Sequence, residues 1–155
     1  MNISDLIGLT ISEIRYTYTN RNEYDIQEFF AYLKLSNGLI IEIPQYSDLD
    51  LDESVERNRI FEDAKIPSKK CKNRIENQRI IDIHFCYYNN EQDFDSKAYI
   101  ELENETYLTE QNRGPQGLTN IDLEILNKSE FEKRIAELDE DSEIKSYRTA
   151  IKNIC

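Results

Sequence analysis

Alternating apolar and polar positions along the chain predict a series of short strands. Within each segment, β-branched and aromatic residues recur at every second position, as they do in a strand with one buried face. Turn-forming residues such as Asn, Gly and Asp separate the segments. The predicted strands cover residues 11–18, 29–36, 39–44, 79–88, 98–103, 106–109 and 121–125.

Asn37-Gly38 is a strong hairpin signal, and the apolar pattern around it selects the register. A two-residue turn would place Leu33 opposite Glu42 and mix charge into both faces. A three-residue loop with Gly38 in the left-handed conformation places Leu33 opposite Ile41 and keeps one face apolar. The sequence therefore predicts a bulged hairpin.

Helical signals are fewer. Residues 52–64 are long enough for about two turns of helix before Pro67. Ser129 and Glu132 have the spacing of a capping box, and the apolar positions that follow predict a helix over residues 130–138. With six or seven strands in a mainly antiparallel sheet and one or two helices, the predicted fold is α+β and strand-rich, in a single domain over residues 1–155 without an internal repeat.

Net charge is the strongest feature of the composition. The chain has 31 acidic and 19 basic residues, for a net charge of −12, so phosphate backbones and anionic membranes repel it. We therefore expect neither nucleic-acid nor membrane binding. Residues 65–80 are the exception, with six basic residues and one acidic residue. We interpret residues 65–78 as a mobile basic loop, with a local anion site as the alternative.

The cysteines and the apolar segments indicate a reduced, cytoplasmic setting. Three cysteines without CxxC spacing favour neither a disulfide framework nor a zinc site. Every apolar run is far shorter than the ~20 residues that span a bilayer, and residues 1–8 have no basic leader. We predict a cytoplasmic protein without a metal or another cofactor.

His84 is the only histidine and therefore the only candidate imidazole base. Asp82 and Cys86 lie on the same predicted strand face, two positions away on either side. Such neighbours are about 6.5 Å apart, which is too far for a direct relay. We therefore interpret this face as a solvated sheet surface and predict no catalytic residue.

Asp48, Asp50 and Asp52 follow the opening pattern of a calcium-binding loop. Glu53 stands where the loop requires Gly, and Arg59 stands where the closing Glu belongs. An EF-hand is therefore excluded, and we expect a solvated acidic loop.

Acidic and aromatic side chains on the predicted outer faces form a candidate surface for a basic partner. Aromatic anchors surrounded by negative charge combine rapid electrostatic association with buried contacts. The predicted partner-binding residues are Tyr32, Glu42, Asp48, Asp50, Asp52, Tyr99, Glu101 and Glu103.

The chain resembles the small acidic immunity proteins that are encoded beside secreted bacterial toxins. The resemblance rests on the hairpin at residues 33–41, on residues 99–104 leading to residues 107–110, and on the strand-to-helix end. It implies a non-enzymatic inhibitor that binds a cognate toxin, often a basic nuclease, in the cytoplasm of a bacterium. Two alternatives stay open: a structural or regulatory subunit that oligomerises through sheet edges, and an unfamiliar enzyme that uses His84.

Overall fold

The structure is a computed structural model that describes residues 3–21, 26–43, 55–93, 96–113 and 120–152. These residues form nine strands, four α-helices and one short 3-10 helix, an α+β arrangement rich in strand, as predicted. The helices are the 3-10 helix Ile3–Leu6, α1 (Val55–Asp63), α2 (Lys69–Ile75), α3 (Lys128–Ala136) and α4 (Tyr147–Lys152). The strands are β1 (Ile11–Arg21), β2 (Ile26–Leu35), β3 (Ile40–Ile43), β4 (Ile80–Tyr88), β5 (Glu91–Gln92), β6 (Tyr99–Leu102), β7 (Thr106–Arg113), β8 (Asn120–Asn127) and β9 (Ser142–Ser146).

The strands form two antiparallel groups. In the first group β2 pairs with both β1 and β3. In the second group the order is β8-β7-β6-β4, and β4 also pairs with β5 and β9. Among the described residues, the parallel pair Glu28–Ile121 and an isolated antiparallel bridge, Thr10–Arg79, join the two groups.

The first hairpin has the predicted bulged register. Leu33 lies opposite Ile41, and Leu35 accepts a backbone hydrogen bond from Gly38 at 2.8 Å. Gly38 has a φ of 89°, the left-handed conformation that a three-residue loop requires. The local pattern of apolar residues was therefore sufficient to determine this register.

The described residues within 6–43 and 75–110 form two equivalent arrangements of three antiparallel strands, the first and second unit. The two units meet at an antiparallel bridge between the equivalent residues Thr10 and Arg79. Each backbone hydrogen bond beside the bridge has a counterpart with the units exchanged, which is the pattern that a two-fold axis produces. The matched bonds are Gly8 N to Ile80 O (2.8 Å) with Asn77 N to Ile11 O (2.8 Å), and Ile11 N to Gln78 O (2.9 Å) with Ile80 N to Leu9 O (2.8 Å).

The strand register and the hairpin turns are equivalent as well. Gly38 in the first turn and Glu105 in the second both have positive φ, at 89° and 60°. The preceding residues Asn37 and Asn104 each accept a backbone N–H two positions ahead, at 3.1 and 3.2 Å. The equivalent cross-strand pairs are Glu13–Lys34 with Asp82–Glu101, Ile14–Leu33 with Ile83–Ile100, and Arg15–Tyr32 with His84–Tyr99. The prediction that the chain has no internal repeat is therefore wrong.

One cluster of buried apolar side chains takes residues from both units, including Leu6, Ile14, Ile75 and Ile83. The opposite faces of the two units are each covered by a helix, and each helix contributes one buried phenylalanine. Phe61 of α1 packs with Tyr32 and Ile40, and Phe131 of α3 packs with Tyr99 and Tyr107. Both faces of these strands are therefore covered.

Several sequence predictions need correction. The basic segment is not a loop, because residues 69–75 form α2, which is capped by Ser68 and buries Ile75 completely. Helix α3 begins at Lys128, earlier than predicted, because Asn127 rather than Ser129 caps it. Strand β1 continues to Arg21, beyond its predicted end at residue 18.

The helix predicted within residues 52–64 is confirmed by α1, whereas the short strand β9 was not predicted. Among the described residues, no helix has the length and apolar character that crossing a membrane requires.

Candidate functional site

Asp82, His84 and Glu101 form a polar cluster on the covered face of the second unit, which we call the His84 cluster. One ligand atom from each side chain lies within 4.8 Å of the other two. Strand β4 places Asp82 and His84 on this face because they are two positions apart. Strand β6 adds Glu101, which lies directly opposite Asp82 in the register. The cluster thus depends on strand pairing rather than on a local motif.

Each acidic side chain of the His84 cluster is held by hydrogen bonds. His84 Nε2 lies 2.7 Å from Glu101 Oε2, and the Tyr107 hydroxyl donates to Glu101 Oε1 at 3.0 Å. Asp82 Oδ1 accepts the backbone N–H of Ile83 at 2.8 Å, and Asp82 Oδ2 accepts the hydroxyl of Ser146 on β9. Both carboxylates are therefore fixed in orientation.

Helix α3 covers the His84 cluster through aromatic contacts. The Phe131 ring stacks on Tyr107 with centroids 4.0 Å apart and lies 5.1 Å from the His84 ring. Arg134 of the same helix donates to Glu124 on β8, so a charged contact also holds α3 to the sheet. His84 and Glu101 remain partly accessible, with side chains 13% and 19% exposed.

The covering helix also changes the titration of nearby groups. Burial raises the pKa of Tyr99 to about 12. Burial, followed by the hydrogen bond to Glu101, also raises the pKa of Tyr107, since an ionised phenol would face a carboxylate. The pKa of the Cys86 thiol is raised by burial and then by Asp93. At neutral pH these groups stay protonated, and Tyr107 acts as a donor.

The strand pattern predicts that Asp82, His84 and Cys86 share one face, but it does not reveal the main partner of the histidine. The Cys86 thiol donates to the Lys97 carbonyl at 3.5 Å. Glu101 approaches from the neighbouring strand instead. The face is not solvated as predicted, because α3 covers it and Asp82 is only 9% exposed. The sequence did contain a signal for Glu101. The alternation within residues 98–103 placed Glu101 on the polar face of its strand, as the alternation in the preceding strand placed His84.

Two predicted partner-binding residues are not on the surface. Tyr32 and Tyr99 are buried, at 4% and 3% exposure, because α1 and α3 lie over them. The expectation that these tyrosines form exposed anchors is therefore wrong. The alternation of apolar and polar residues correctly placed both tyrosines on the face opposite the main core. It could not show that a helix from another part of the chain covers that face.

The predicted acidic residues have different surroundings. Glu42 is half-buried opposite Tyr32 on the adjacent strand, and Glu101 belongs to the His84 cluster. Glu103 is exposed and forms an ion pair with Arg79 at 3.2 Å. The remaining three predicted residues, Asp48, Asp50 and Asp52, lie outside the described residues.

A second candidate site lies where α3 is followed by β9. Five exposed acidic residues occupy this segment, which we call the acidic end: Glu137, Asp139, Glu140, Asp141 and Glu143. Part of it lines a cleft of about 270 Å³ together with Asn89 and Asn90 from the turn after β4. Tyr88, which precedes this turn and pairs with Ser142, is 53% exposed. The density of acids in residues 139–143 was visible in the sequence, but its position beside an exposed tyrosine was not.

Comparisons with protein-family models, with curated proteins and with solved structures find no match for this chain.

Proposed function

We infer that the protein is a non-enzymatic binding protein that neutralises a cognate basic protein, in the manner of a cytoplasmic toxin-immunity protein. The observation that carries this proposal is the acidic end, where exposed carboxylates surround a cleft beside an exposed tyrosine. The proposed contact surface comprises the acidic end and Tyr88. It replaces Tyr32 and Tyr99, which are buried.

Charge density is the first argument for this surface. Five of the seven residues 137–143 are acidic and none is basic. All five are exposed, but Glu137 and Glu143 form ion pairs with Lys133 and Lys145 at 3.8 and 2.5 Å. The field, which extends into solvent over about one Debye length, ~8 Å at physiological salt, therefore comes mainly from Asp139, Glu140 and Asp141. Such a field accelerates encounter with a cationic protein.

The exposed tyrosine is the second argument. Charge at the rim of an interface mainly sets the association rate, whereas buried aromatic residues slow dissociation. Tyr88 has an accessible ring beside the cleft, and its neighbours Asn89 and Asn90 offer polar side chains at the cleft wall. A basic partner would thus find both an electrostatic field and an aromatic anchor.

The experiment expresses the product of the gene next to this chain's own gene, which we expect to carry a basic domain that kills the host, and then co-expresses this chain with it. We expect the chain to restore growth. In stopped-flow mixing, Asp139→Asn with Glu140→Gln should slow association by about threefold to tenfold at low salt, because part of the steering field is lost. Tyr88→Ala should instead accelerate dissociation.

Control variants separate this surface from general effects. Glu62→Gln with Asp63→Asn makes the same change in charge at the exposed end of α1, and Ile66→Ala removes another exposed apolar side chain. We expect both to bind as the unmodified chain does. Failure to restore growth, or equal slowing by the two charge variants, would contradict the proposal.

A further inference from the structure

The internal repeat provides a comparison for the His84 cluster. At the positions of His84, Glu101 and Tyr107, the first unit has Arg15, Lys34 and Ile40. The same backbone and the same phenylalanine-bearing helix are thus compatible with a very different set of side chains.

In the first unit these positions serve packing. The Arg15 guanidinium lies 4.8 Å from the centre of the Phe61 ring, and the Lys34 ammonium lies 5.5 Å from it. Arg15 also donates to the carbonyls of Phe61 and Glu62, which fixes the end of α1. The first unit also has a carboxylate, Glu13, at the position of Asp82, where it pairs with Arg15 at 2.6 Å, and a buried phenol, Tyr32, beside Phe61. Covering this strand face with a helix therefore requires neither an imidazole nor a second carboxylate. The polar set of the second unit needs another explanation.

The ligand atoms of the second unit suit a metal ion. One imidazole nitrogen and two carboxylate oxygens converge within 4.8 Å. Zinc and similar divalent ions accept this mixture of nitrogen and oxygen donors, often as three protein ligands with water in the fourth position. The partial exposure of His84 and Glu101 leaves a route for that water.

The surroundings of these ligands also resemble those of metal centres. In such centres, groups that do not touch the ion hold the ligands in orientation by hydrogen bonds. Here Tyr107 holds one oxygen of Glu101 and leaves the other facing His84. Ser146 and the Ile83 N–H hold the two oxygens of Asp82.

Binding of an ion requires the three side chains to shift. His84 Nε2 and Glu101 Oε2 are 2.7 Å apart, with a proton between them. Two ligands on a tetrahedral ion with bonds of about 2.1 Å are about 3.4 Å apart. The three ligand atoms lie within 4.8 Å of one another, so the widest-spaced pair must approach by up to about 1.4 Å for one ion to bind all three. The positive charge of a divalent ion would also neutralise the negative charges of the two adjacent carboxylates.

We propose that Asp82, His84 and Glu101 bind one divalent transition-metal ion of the zinc class, with water as the fourth ligand. Tyr107 and Ser146 are positioning residues for this site. The site is a property of the second unit alone, since Arg15 and Lys34 place positive charge at the equivalent positions.

The test is titration of the purified chain with Zn²⁺ by calorimetry and with Co²⁺ by visible absorption, which distinguishes tetrahedral from octahedral sites. We expect one equivalent of Zn²⁺, an intense tetrahedral Co²⁺ spectrum and a rise in thermal stability with free metal. His84→Gln and Glu101→Gln should each abolish the spectrum. Tyr107→Phe keeps all three ligands and should weaken binding about 10- to 100-fold.

Controls make every outcome decisive. Arg15→Gln alters the equivalent position of the first unit and should leave binding unchanged, and circular dichroism establishes that each variant is folded. Asp139→Asn with Glu140→Gln tests whether the ion binds at the acidic end instead. Absence of binding, an octahedral spectrum, or a spectrum that survives His84→Gln would overturn the proposal.

Discussion

Replacing Phe131 by alanine tests how strongly α3 holds the covered face of the second unit. The side chain is 4% exposed, stacks on Tyr107 at 4.0 Å, and has its ring centre 5.2 Å from that of Tyr99. A buried aromatic side chain removes about 150–250 Å² from water, and at ~25 cal/mol per Å² this contributes roughly 4–6 kcal/mol. Alanine retains part of that burial, so we expect the free energy of unfolding to fall by about 3–5 kcal/mol.

Guanidinium unfolding followed by far-UV circular dichroism measures this loss. Ile135→Ala is the matched control, because it changes the same helix at a side chain that is 40% exposed. Its expected cost is below about 1 kcal/mol. Alanine is also the better helix former at both sites, so helix propensity cannot produce the loss. A cost for Phe131→Ala below about 1 kcal/mol, or equal to that of the control, would refute the packing described for α3.

Two further predictions concern the cap of α3 and the response to alkaline pH. Asn127→Ala should lower the free energy of unfolding by about 0.5–2 kcal/mol, whereas Ser129→Ala should change it by less than about 0.5 kcal/mol; chemical unfolding of both variants decides which residue is the cap. Because burial raises the pKa of Tyr99 to about 12 from an ordinary value of 10.0, the folded state retains that proton longer than the unfolded state does. The contribution of the protonated Tyr99 to the free energy of unfolding should therefore be complete below pH 10 and be lost between pH 10 and about 12. In unfolding curves measured across this range, Tyr99→Phe should make the loss of stability with pH less steep. A loss of unchanged steepness would contradict the assignment.

The first hairpin shows what can be predicted from local pattern. Its register followed from matching Leu33 with Ile41, because a slip by one residue would have moved charged side chains into the core. The two partners are close in sequence, so a short turn was enough to bring them together. The structure has this register and the positive φ of Gly38.

The internal repeat was present in the sequence but was not recognised. Residues 31–37 read Ala-Tyr-Leu-Lys-Leu-Ser-Asn, and residues 98–104 read Ala-Tyr-Ile-Glu-Leu-Glu-Asn. The similarity is confined to core and turn positions, where packing and backbone conformation limit the choice of residue. Lys34 and Glu101, which occupy equivalent positions on the helix-covered faces, have opposite charge. The short match is therefore hidden unless the two strands are superimposed.

By itself, the sequence determined the strand-rich α+β class, the alternation of each strand and the register of the first hairpin, because these depend on residues that are close along the chain. Only the tertiary structure decided that Tyr32 and Tyr99 are buried and that Glu101 meets His84. Alternation of apolar and polar residues shows which side chains share a face of a strand. It does not show what packs against the polar face. Distant helices and neighbouring strands make that choice, and here they cover the tyrosines and leave the acidic end beside Tyr88 exposed.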